Sequence, residues 1–403
     1  MQYLFTERAH LMCPHMCFGI VLAVRRPYAE NRIRDAVSHL SAAHPFLNAL
    51  LGYEEEKNAY GYRVTERAQV ELLLKNQEIS GIDAPEIMDE YGRLTERDWN
   101  LPEEGMLKIA AWGMGENTCF LLVFHHLLAD GRGALHLSEE LADDYALDRK
   151  PAFALEQLIS AKDLPENSRM PFISRFLVNW ANKNWAKENR IVSYQEYHAF
   201  ANEFLKQDTV RYSISRFDQE ALKEIRFRCH DAQVTVNDYL LAKMMLEDHT
   251  DKIVMACDLR DRFSFYQKGA LGNYSTAFSV EVKAKTKDLV ALAKTVHEQV
   301  QKKMARPSEL FLVLQCYASL NPGLLDAALI SCRGSFPSKA GKFIGSMFFG
   351  FDAASGYSVT NLGKIESESM ISAFFIPPTS PAMRKTQGVL TLNGVMTICS
   401  GER

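Results

Sequence analysis

In the first 150 residues, continuous runs of hydrophobic residues alternate with segments in which hydrophobic residues have helical spacing. The apolar run at residues 17–24 predicts a buried strand, and apolar residues spaced three and four apart between residues 28 and 43 predict an amphipathic helix. Pro45 ends this helix, because the residue before a proline is biased away from the helical conformation. The chain is therefore predicted to begin with a strand followed by a helix.

Two further apolar runs, residues 106–112 and 118–124, flank a glycine-bearing segment and predict a β-hairpin. The segment HHLLADG, residues 125–131, follows directly. It therefore lies at the carboxyl end of a buried strand. Residues 134–145 return to helical spacing and predict the next helix.

The regular pattern is lost between about residues 149 and 202, where the chain contains prolines, charges, Trp, Tyr and Asn. We therefore divide the chain into an N-terminal half (1–155), a connecting segment (156–205) and a C-terminal half (206–403). In the connecting segment, residues 172–185 predict a helix. The C-terminal half is predicted to contain strands at 209–215, 252–257, 275–282, 356–362 and 388–398, and helices at 218–230, 235–246 and 289–305. This predicts an α/β fold, of the two-layer α+β kind, with two halves of similar make-up.

Charge and hydropathy exclude several classes of protein. The 46 Lys and Arg residues nearly balance the 50 Asp and Glu residues, and no basic stripe is present that would neutralise a nucleic-acid backbone. No apolar run approaches the roughly 20 residues needed to cross a bilayer. The first thirty residues lack a signal-peptide pattern. We expect a cytoplasmic protein without a transmembrane segment or a nucleic-acid partner, and interpret the basic residues near Trp180 and Trp185 as a docked amphipathic helix.

The eight cysteines are dispersed, mostly in apolar segments, which favours reduced core thiols over a disulfide framework. One cluster contains residue types that bind zinc: His10, Cys13, His15 and Cys17. Its spacing is not that of a zinc finger or ribbon, and no second ligand pair follows. We therefore expect no metal site.

The paired histidines carry the clearest chemistry. A histidine titrates near pH 6.5, so it can take a proton from a hydroxyl or amine and return it to a leaving group. Adjacent residues of a strand point to opposite sides, so one histidine at most faces a given cleft. We assign His126 as the base and His125 as its support. The alternatives are strand-end histidines without a chemical role, and a metal site that includes Asp130, although adjacent histidines cannot easily bind one ion.

Asp130 lies where the chain turns before the following helix, and Gly131 and Gly133 permit backbone conformations that other residues avoid. Its carboxylate either orients His126 directly or is a buried anion that pairs with an arginine and holds the loop. Residue types alone leave both possibilities open.

Residues 125–131 resemble the HHxxxDG motif of the CoA-dependent acyltransferase superfamily. This superfamily includes chloramphenicol acetyltransferase, nonribosomal peptide condensation domains, alcohol acetyltransferases and polyketide-associated acyltransferases. Further stretches agree with it in order and spacing: HPFL at 44–47, TVND at 235–238, DLRDR at 258–262, GN at 272–273 and TNLG at 360–363. The resemblance covers most of residues 15–365 and is strongest to free-standing condensation-like members. The DFGWG motif of the plant members does not occur in the sequence, which disfavours that branch.

The resemblance implies two chloramphenicol acetyltransferase-like halves with a channel between them. His126 would deprotonate a small-molecule hydroxyl or amine as it attacks a thioester, without an acyl-enzyme. The co-substrate would be acyl-CoA or acyl-pantetheine, the latter on an acyl carrier protein, with no permanently bound cofactor. Asp130 would be structural and pair with an arginine, Arg260 as first choice and Arg262 as second.

The oxyanion of such a reaction needs hydrogen-bond donors. Candidates are the backbone N–H of Gly131 and the side chains of Asn361 and Thr360, although an Asn in that tight segment is equally typical of a turn. Two other functions stay open: a catalytically degenerate condensation-like scaffold that binds a carrier protein or thioester, and a thioester hydrolase. No adenylation, carrier or thioesterase segment accompanies the motif, so we expect a discrete enzyme. The sequence ends soon after a predicted core strand, whereas members of the superfamily often continue with another strand or helix, so we expect a reduced C-terminal element.

Overall fold

The computed structural model describes residues 1–283 and 286–403. Its strands are β1 (Gln2–Tyr3), β2 (Cys17–Val24), β3 (Ala49–Glu54), β4 (Ala59–Val64), β5 (Glu71–Glu78), β6 (Leu107–Met114), β7 (Asn117–His125), β8 (Arg211–Phe217), β9 (Lys252–Asp258), β10 (Ser275–Glu281), β11 (Gly356–Ile365), β12 (Met370–Ile376), β13 (Met383–Leu392) and β14 (Val395–Glu402). Its helices are α1 (Arg8–Leu11), α2 (Glu30–Ala43), α3 (Pro85–Thr95), α4 (Gly131–Leu147), α5 (Phe172–Glu188), α6 (Tyr194–Gln207), α7 (Gln219–Ala232), α8 (Val236–Glu247), α9 (Leu289–Met304), α10 (Pro307–Leu310), α11 (Leu312–Ser319), α12 (Pro322–Arg333) and α13 (Lys339–Ile344).

The first large sheet has the strand order β12-β2-β7-β6-β5. The predicted hairpin is present as β6 and β7, which pair antiparallel, and β7 also pairs antiparallel with β2 along its length. Both central strands are almost wholly buried, in agreement with their continuous apolar runs. This sheet places the end of β7, and with it His125 and His126, at one edge of a buried core.

The second large sheet, in the order β10-β9-β11-β13-β14-β8, corrects one prediction. The single strand expected at 388–398 is in fact parts of β13 and β14, joined by Asn393 and Gly394. Both turn residues have positive φ, 49° and 82°. Asn-Gly suits a two-residue hairpin turn of this kind because both residues tolerate that conformation. The prediction was wrong because the apolar residues on the two sides of this turn were read as one continuous strand.

The C-terminal half contributes one strand to the first sheet. β12 follows residue 206 in the chain, yet it pairs antiparallel with β2 of the first sheet, with Ile376 opposite Gly19. It covers an edge of β2 that would otherwise expose unpaired backbone groups of a fully apolar strand. The division at residues 155 and 206 thus follows chain order but does not separate the sheets. A small third sheet, β1-β4-β3, completes the N-terminal region.

The connecting segment is largely helical. The helix predicted at 172–185 is α5, and a second helix, α6, was not predicted. Val178, Ala181 and Trp185 are buried on one side of α5. Within the described residues, no helix is long and apolar enough to cross a membrane.

A buried histidine ties α2 to the rest of the N-terminal half. The His44 Nε2 atom lies 2.7 Å from Glu140 on α4, and its Nδ1 atom lies 2.9 Å from Glu156. Burial alone would lower the pKa of His44, but hydrogen bonds and charge from these two carboxylates raise it to about 9. His44 is therefore an imidazolium held between two carboxylates.

This arrangement predicts that stability falls at alkaline pH. A pKa raised from about 6.5 in the unfolded chain to about 9 in the folded one gives stabilisation that is complete below pH 6.5. This stabilisation, up to roughly 3 kcal/mol, is lost as the pH rises through 9. Urea denaturation at several pH values between 6 and 10 should show this loss in the wild type and a flatter dependence in His44→Gln. Parallel curves for the two proteins would contradict the assignment.

Candidate active site

The backbone at the end of β7 is anchored on both sides. The N–H of His125 donates to the carbonyl of Met106, just before β6, and that of His126 donates to the carbonyl of Met16, just before β2, each at 2.9 Å. The side chain of His125 is buried, and its Nδ1 atom accepts the Leu127 N–H at 3.2 Å. Burial and the neighbouring His126 lower the pKa of His125 to about 3. His125 is thus a neutral, buried histidine that braces the turn.

His126 is held by Asn273, which lies just before β10. The His126 Nδ1 atom is 2.9 Å from the Oδ1 atom of Asn273. The Asn273 amide group donates to the backbone carbonyls of His126 and Leu127, at 2.9 and 3.1 Å, so its orientation is determined. Because a carbonyl oxygen only accepts, the proton lies on Nδ1 of His126. The lone pair is therefore on Nε2.

The environment of His126 also favours the neutral ring. Burial lowers the pKa of His126, and the charge of Asp130 and the hydrogen bond to Asn273 offset this in part. At neutral pH the imidazole is thus unprotonated at Nε2 and available as a base.

Asp130 makes no hydrogen bond to His126 among the described contacts and points toward Arg260. The two Nη atoms of Arg260 lie 2.6 and 3.1 Å from its two oxygens. Backbone N–H groups of Arg132, Gly133 and Tyr274 donate to the same carboxylate. Burial raises the pKa of Asp130, but Arg260 and these donors outweigh it and lower the pKa. This is the arrangement of a buried structural anion.

Of the two arginines proposed as partners of Asp130, the structure brings only Arg260 to it. The Arg260 side chain is buried, whereas Arg262 is exposed at the end of the same turn. Arg260 also contacts Asp258, at 3.0 Å. Asp130 in addition caps α4, since its carboxylate accepts the N–H groups of the first turn.

The remaining candidates lie on β11 and at the start of α4. Asn361 accepts the N–H of Gly363 through its own side chain, which is a turn contact, and its amide group lies 3.4 Å from Asn237. Neither Asn361 nor Thr360 contacts His126 in the described hydrogen bonds. Gly131 opens α4, so its N–H is among the first-turn donors that lack a helical partner. A Cβ atom on Gly131 would lie 2.6 Å from the end of the Leu362 side chain, which would have to shift.

Neither a model of a known protein family nor a curated protein matches the chain. Solved structures match it over nearly its whole length. The first condensation domain of the calcium-dependent antibiotic synthetase, in complex with a substrate analogue, is 12% identical with a TM-score of 0.65, over 100% of this chain and 91% of that one. This chain has the condensation-domain fold.

Two further structures show how widely this fold is used. The epimerization domain from the third module of tyrocidine synthetase B is 16% identical, with a TM-score of 0.59, over 99% of this chain and 87% of that one. The starter condensation domain of rhizomide synthetase, a mutant in complex with C8-CoA and Leu-SNAC, is 11% identical, with a TM-score of 0.59, over 100% and 88%. The condensation-domain fold therefore serves more than one chemistry, and identities this low establish the fold alone.

The condensation-domain fold confirms the predicted α/β class and the arrangement in two halves. The structure also shows what two of the matched motifs contact. Residues 258–262 place Arg260 against Asp130, and residues 272–273 place Asn273 against His126. The resemblance indicated these positions in the chain, but the contact between Asn273 and His126 was not predicted.

His10 had no expected role once a zinc site was set aside, but the structure places it against His126. Its ring stacks on that of His126, with centroids 4.1 Å apart and an angle of 24° between the planes. Phe18 contacts His126 edge-on, with centroids 5.3 Å apart. Burial and the two histidines of the motif lower the pKa of His10 well below its usual value, so it is neutral. The His126 ring thus has two aromatic neighbours in this structure, His10 and Phe18.

The other members of the His10 cluster do not converge. The His15 ring lies 3.0 Å from Asp208, and all eight cysteines, including Cys13 and Cys17, are free. Among the described residues, no three His, Cys, Asp or Glu side chains are arranged to hold a metal ion. No sequence pattern indicates the contact between His10 and His126, because it joins two segments far apart in the chain.

A cavity of about 620 Å³ lies on the α1 side of this condensation-domain fold. It is lined by the β3–β4 hairpin and by the ends of α5, α6 and α12. One of the lining residues, Asp326 of α12, forms a buried ion pair with Arg8, two residues before His10. The cavity is therefore linked through Asp326 to α1, the helix that carries His10.

Proposed function

We propose that this protein is an acyltransferase in which His126 activates a hydroxyl or amine acceptor for attack on an acyl thioester. The observation that carries the proposal is the contact with Asn273, which places the proton of His126 on Nδ1 and the lone pair on Nε2. The lowered pKa of the ring supports the same role, since a base must be unprotonated at working pH.

In the proposed reaction, Nε2 of His126 accepts the proton of the acceptor O–H or N–H as the oxygen or nitrogen attacks the thioester carbonyl. The resulting tetrahedral intermediate collapses, and the C–S bond breaks. The thiolate that leaves takes the proton from the imidazolium, which restores the neutral ring. Both substrates bind at once and no acyl-enzyme forms, so much of the rate enhancement, up to about 7–11 kcal/mol, would come from their alignment.

The other residues of the site support His126 rather than react. We propose that the Gly131 N–H donates to the oxyanion, which in comparable sites contributes about 3–4 kcal/mol. His125 and the Asp130–Arg260 ion pair hold the turn from which His126 projects. The turn contact of Asn361 makes it the weaker oxyanion candidate.

For the donor we propose a free acyl-CoA, with an acyl-pantetheine on a carrier protein as the alternative. Both present the same thioester to His126. The rhizomide synthetase domain, which has the same fold, is described with C8-CoA and Leu-SNAC, and this supports a place for a CoA thioester in the fold. The cavity next to α1 is proposed as one route for substrate entry.

The proposal is tested by thiol release from a panel of acyl-CoAs, measured with and without a mixed panel of alcohols and amines. Release is expected to depend on the acceptor and to be unchanged in His230→Ala, which alters an exposed histidine at the end of α7. Release without an acceptor would indicate hydrolysis. If only an acylated carrier protein reacts, the donor is the carrier-bound thioester and not free acyl-CoA. If neither donor is turned over, a binding scaffold is favoured.

A further inference from the structure

One face of α5 exposes large apolar side chains. Phe172, Ile173 and Phe176 are 72%, 73% and 61% exposed, and Trp180 is 46% exposed. At 3.6 residues per turn these four fall within an arc of about 100°. They therefore form one continuous stripe, which we call the α5 stripe.

The α5 stripe is not the face by which the helix docks. Val178, Ala181 and Trp185 are buried on the other side of α5, which packs against α11 and α13. Trp180 is the one stripe residue held at its edge, where its ring meets Phe343 of α13 at a centroid distance of 4.7 Å. The other three residues of the stripe, Phe172, Ile173 and Phe176, are largely exposed and contribute little to holding α5 on the protein.

Basic residues surround the α5 stripe. Between residues 169 and 190 the chain has five basic residues and one acidic residue, a net charge of +4, although the whole chain has a net charge of −4. The five basic residues, all exposed, are Arg169, Arg175, Lys183, Lys187 and Arg190. Lys183 and Lys187 continue the stripe along the same face of α5. The exposed Lys342 of α13 lies next to Phe343.

This combination fits a negatively charged lipid surface. Aromatic and aliphatic side chains can enter the boundary between headgroups and acyl chains, while lysines and arginines contact anionic headgroups. A second copy of the chain would bring the same positive charge against itself. We propose that the α5 stripe and its basic residues bind the surface of anionic bilayers, with α5 lying in the plane of the interface.

The test uses the full chain and sedimentation with vesicles of phosphatidylcholine alone or with about one third phosphatidylglycerol. Binding is expected to the anionic vesicles, to weaken with salt, and to fall about tenfold or more in Ile173→Ser/Phe176→Ser. Each of Lys183→Gln and Lys187→Gln should weaken it by about fivefold. Because these side chains are exposed, the variants should fold normally. The matched control is Phe227→Ser, a 71% exposed residue of α7, which should bind like the wild type.

Tryptophan fluorescence gives an independent readout. Trp99, Trp112 and Trp185 are buried, so a blue shift on addition of anionic vesicles would report Trp180. Trp180→Phe should abolish the shift and keep most of the binding. Equal binding to neutral vesicles, no binding to either kind, or binding that the stripe variants do not change would overturn the proposal. So would a self-association of the wild type, seen by sedimentation velocity, that the same variants remove.

Discussion

His126→Ala should reduce kcat/KM for acyl transfer by about 10²–10⁴ and leave the protein folded. A general base contributes a factor of this size, and alanine has no group that takes the acceptor's proton. The side chain is only partly buried and fills little core volume, so the melting temperature should stay close to that of the wild type. Acceptor-dependent thiol release and thermal unfolding, measured on the same preparation, check both parts.

His125→Ala serves as the matched control. His125 is buried and neutral, so its loss should lower stability more than that of His126 and activity less. Asn273→Ala should give an intermediate loss of activity, because Nδ1 would no longer be held as the protonated nitrogen. Equal losses of activity in His125→Ala and His126→Ala, with both variants folded, would show that the roles of the two histidines are wrongly assigned.

Asp130→Asn should lower the free energy of unfolding by about 3–5 kcal/mol. The substitution removes the charge that compensates the buried Arg260, and breaking a buried ion pair from one side costs about this much. Activity should fall with the folded fraction, while the pH dependence of the remaining activity should keep its shape. Chemical denaturation and a pH–rate profile measure the two effects separately.

Asp258→Asn is the control for this prediction. Asp258 also contacts Arg260, at 3.0 Å, but its side chain is 41% exposed, so its loss should cost less than about 1 kcal/mol. Together with Arg260→Gln and the double variant, Asp130→Asn forms a double-mutant cycle. This cycle measures the coupling free energy between Asp130 and Arg260. An unchanged unfolding free energy in Asp130→Asn, with a shifted pH–rate profile, would make Asp130 a direct partner of His126.

Local features of the site could be predicted from the sequence. The apolar run of β7 located the paired histidines, and the helix predicted at 235–246 is α8, with Thr235 as its cap. The partners of His126 could not be predicted in this way. His10 and Asn273 reach it from distant segments, and hydrophobic periodicity carries no information about which loops meet. The same holds for β12, whose place beside β2 depends on tertiary packing.

Residues 272–274 link the position of the proton on the His126 ring to the contact between the two halves. In addition to the Asn273 side chain, the carbonyl of Gly272 accepts the Asp130 N–H, and the N–H of Tyr274 donates to the Asp130 carboxylate. These bonds join a loop of the C-terminal half to the turn after β7. If the halves hinged apart here, His126 would lose the acceptor on Nδ1, and its proton would be free to move to Nε2. Closure of the halves would then keep His126 in the tautomer that the proposed reaction requires.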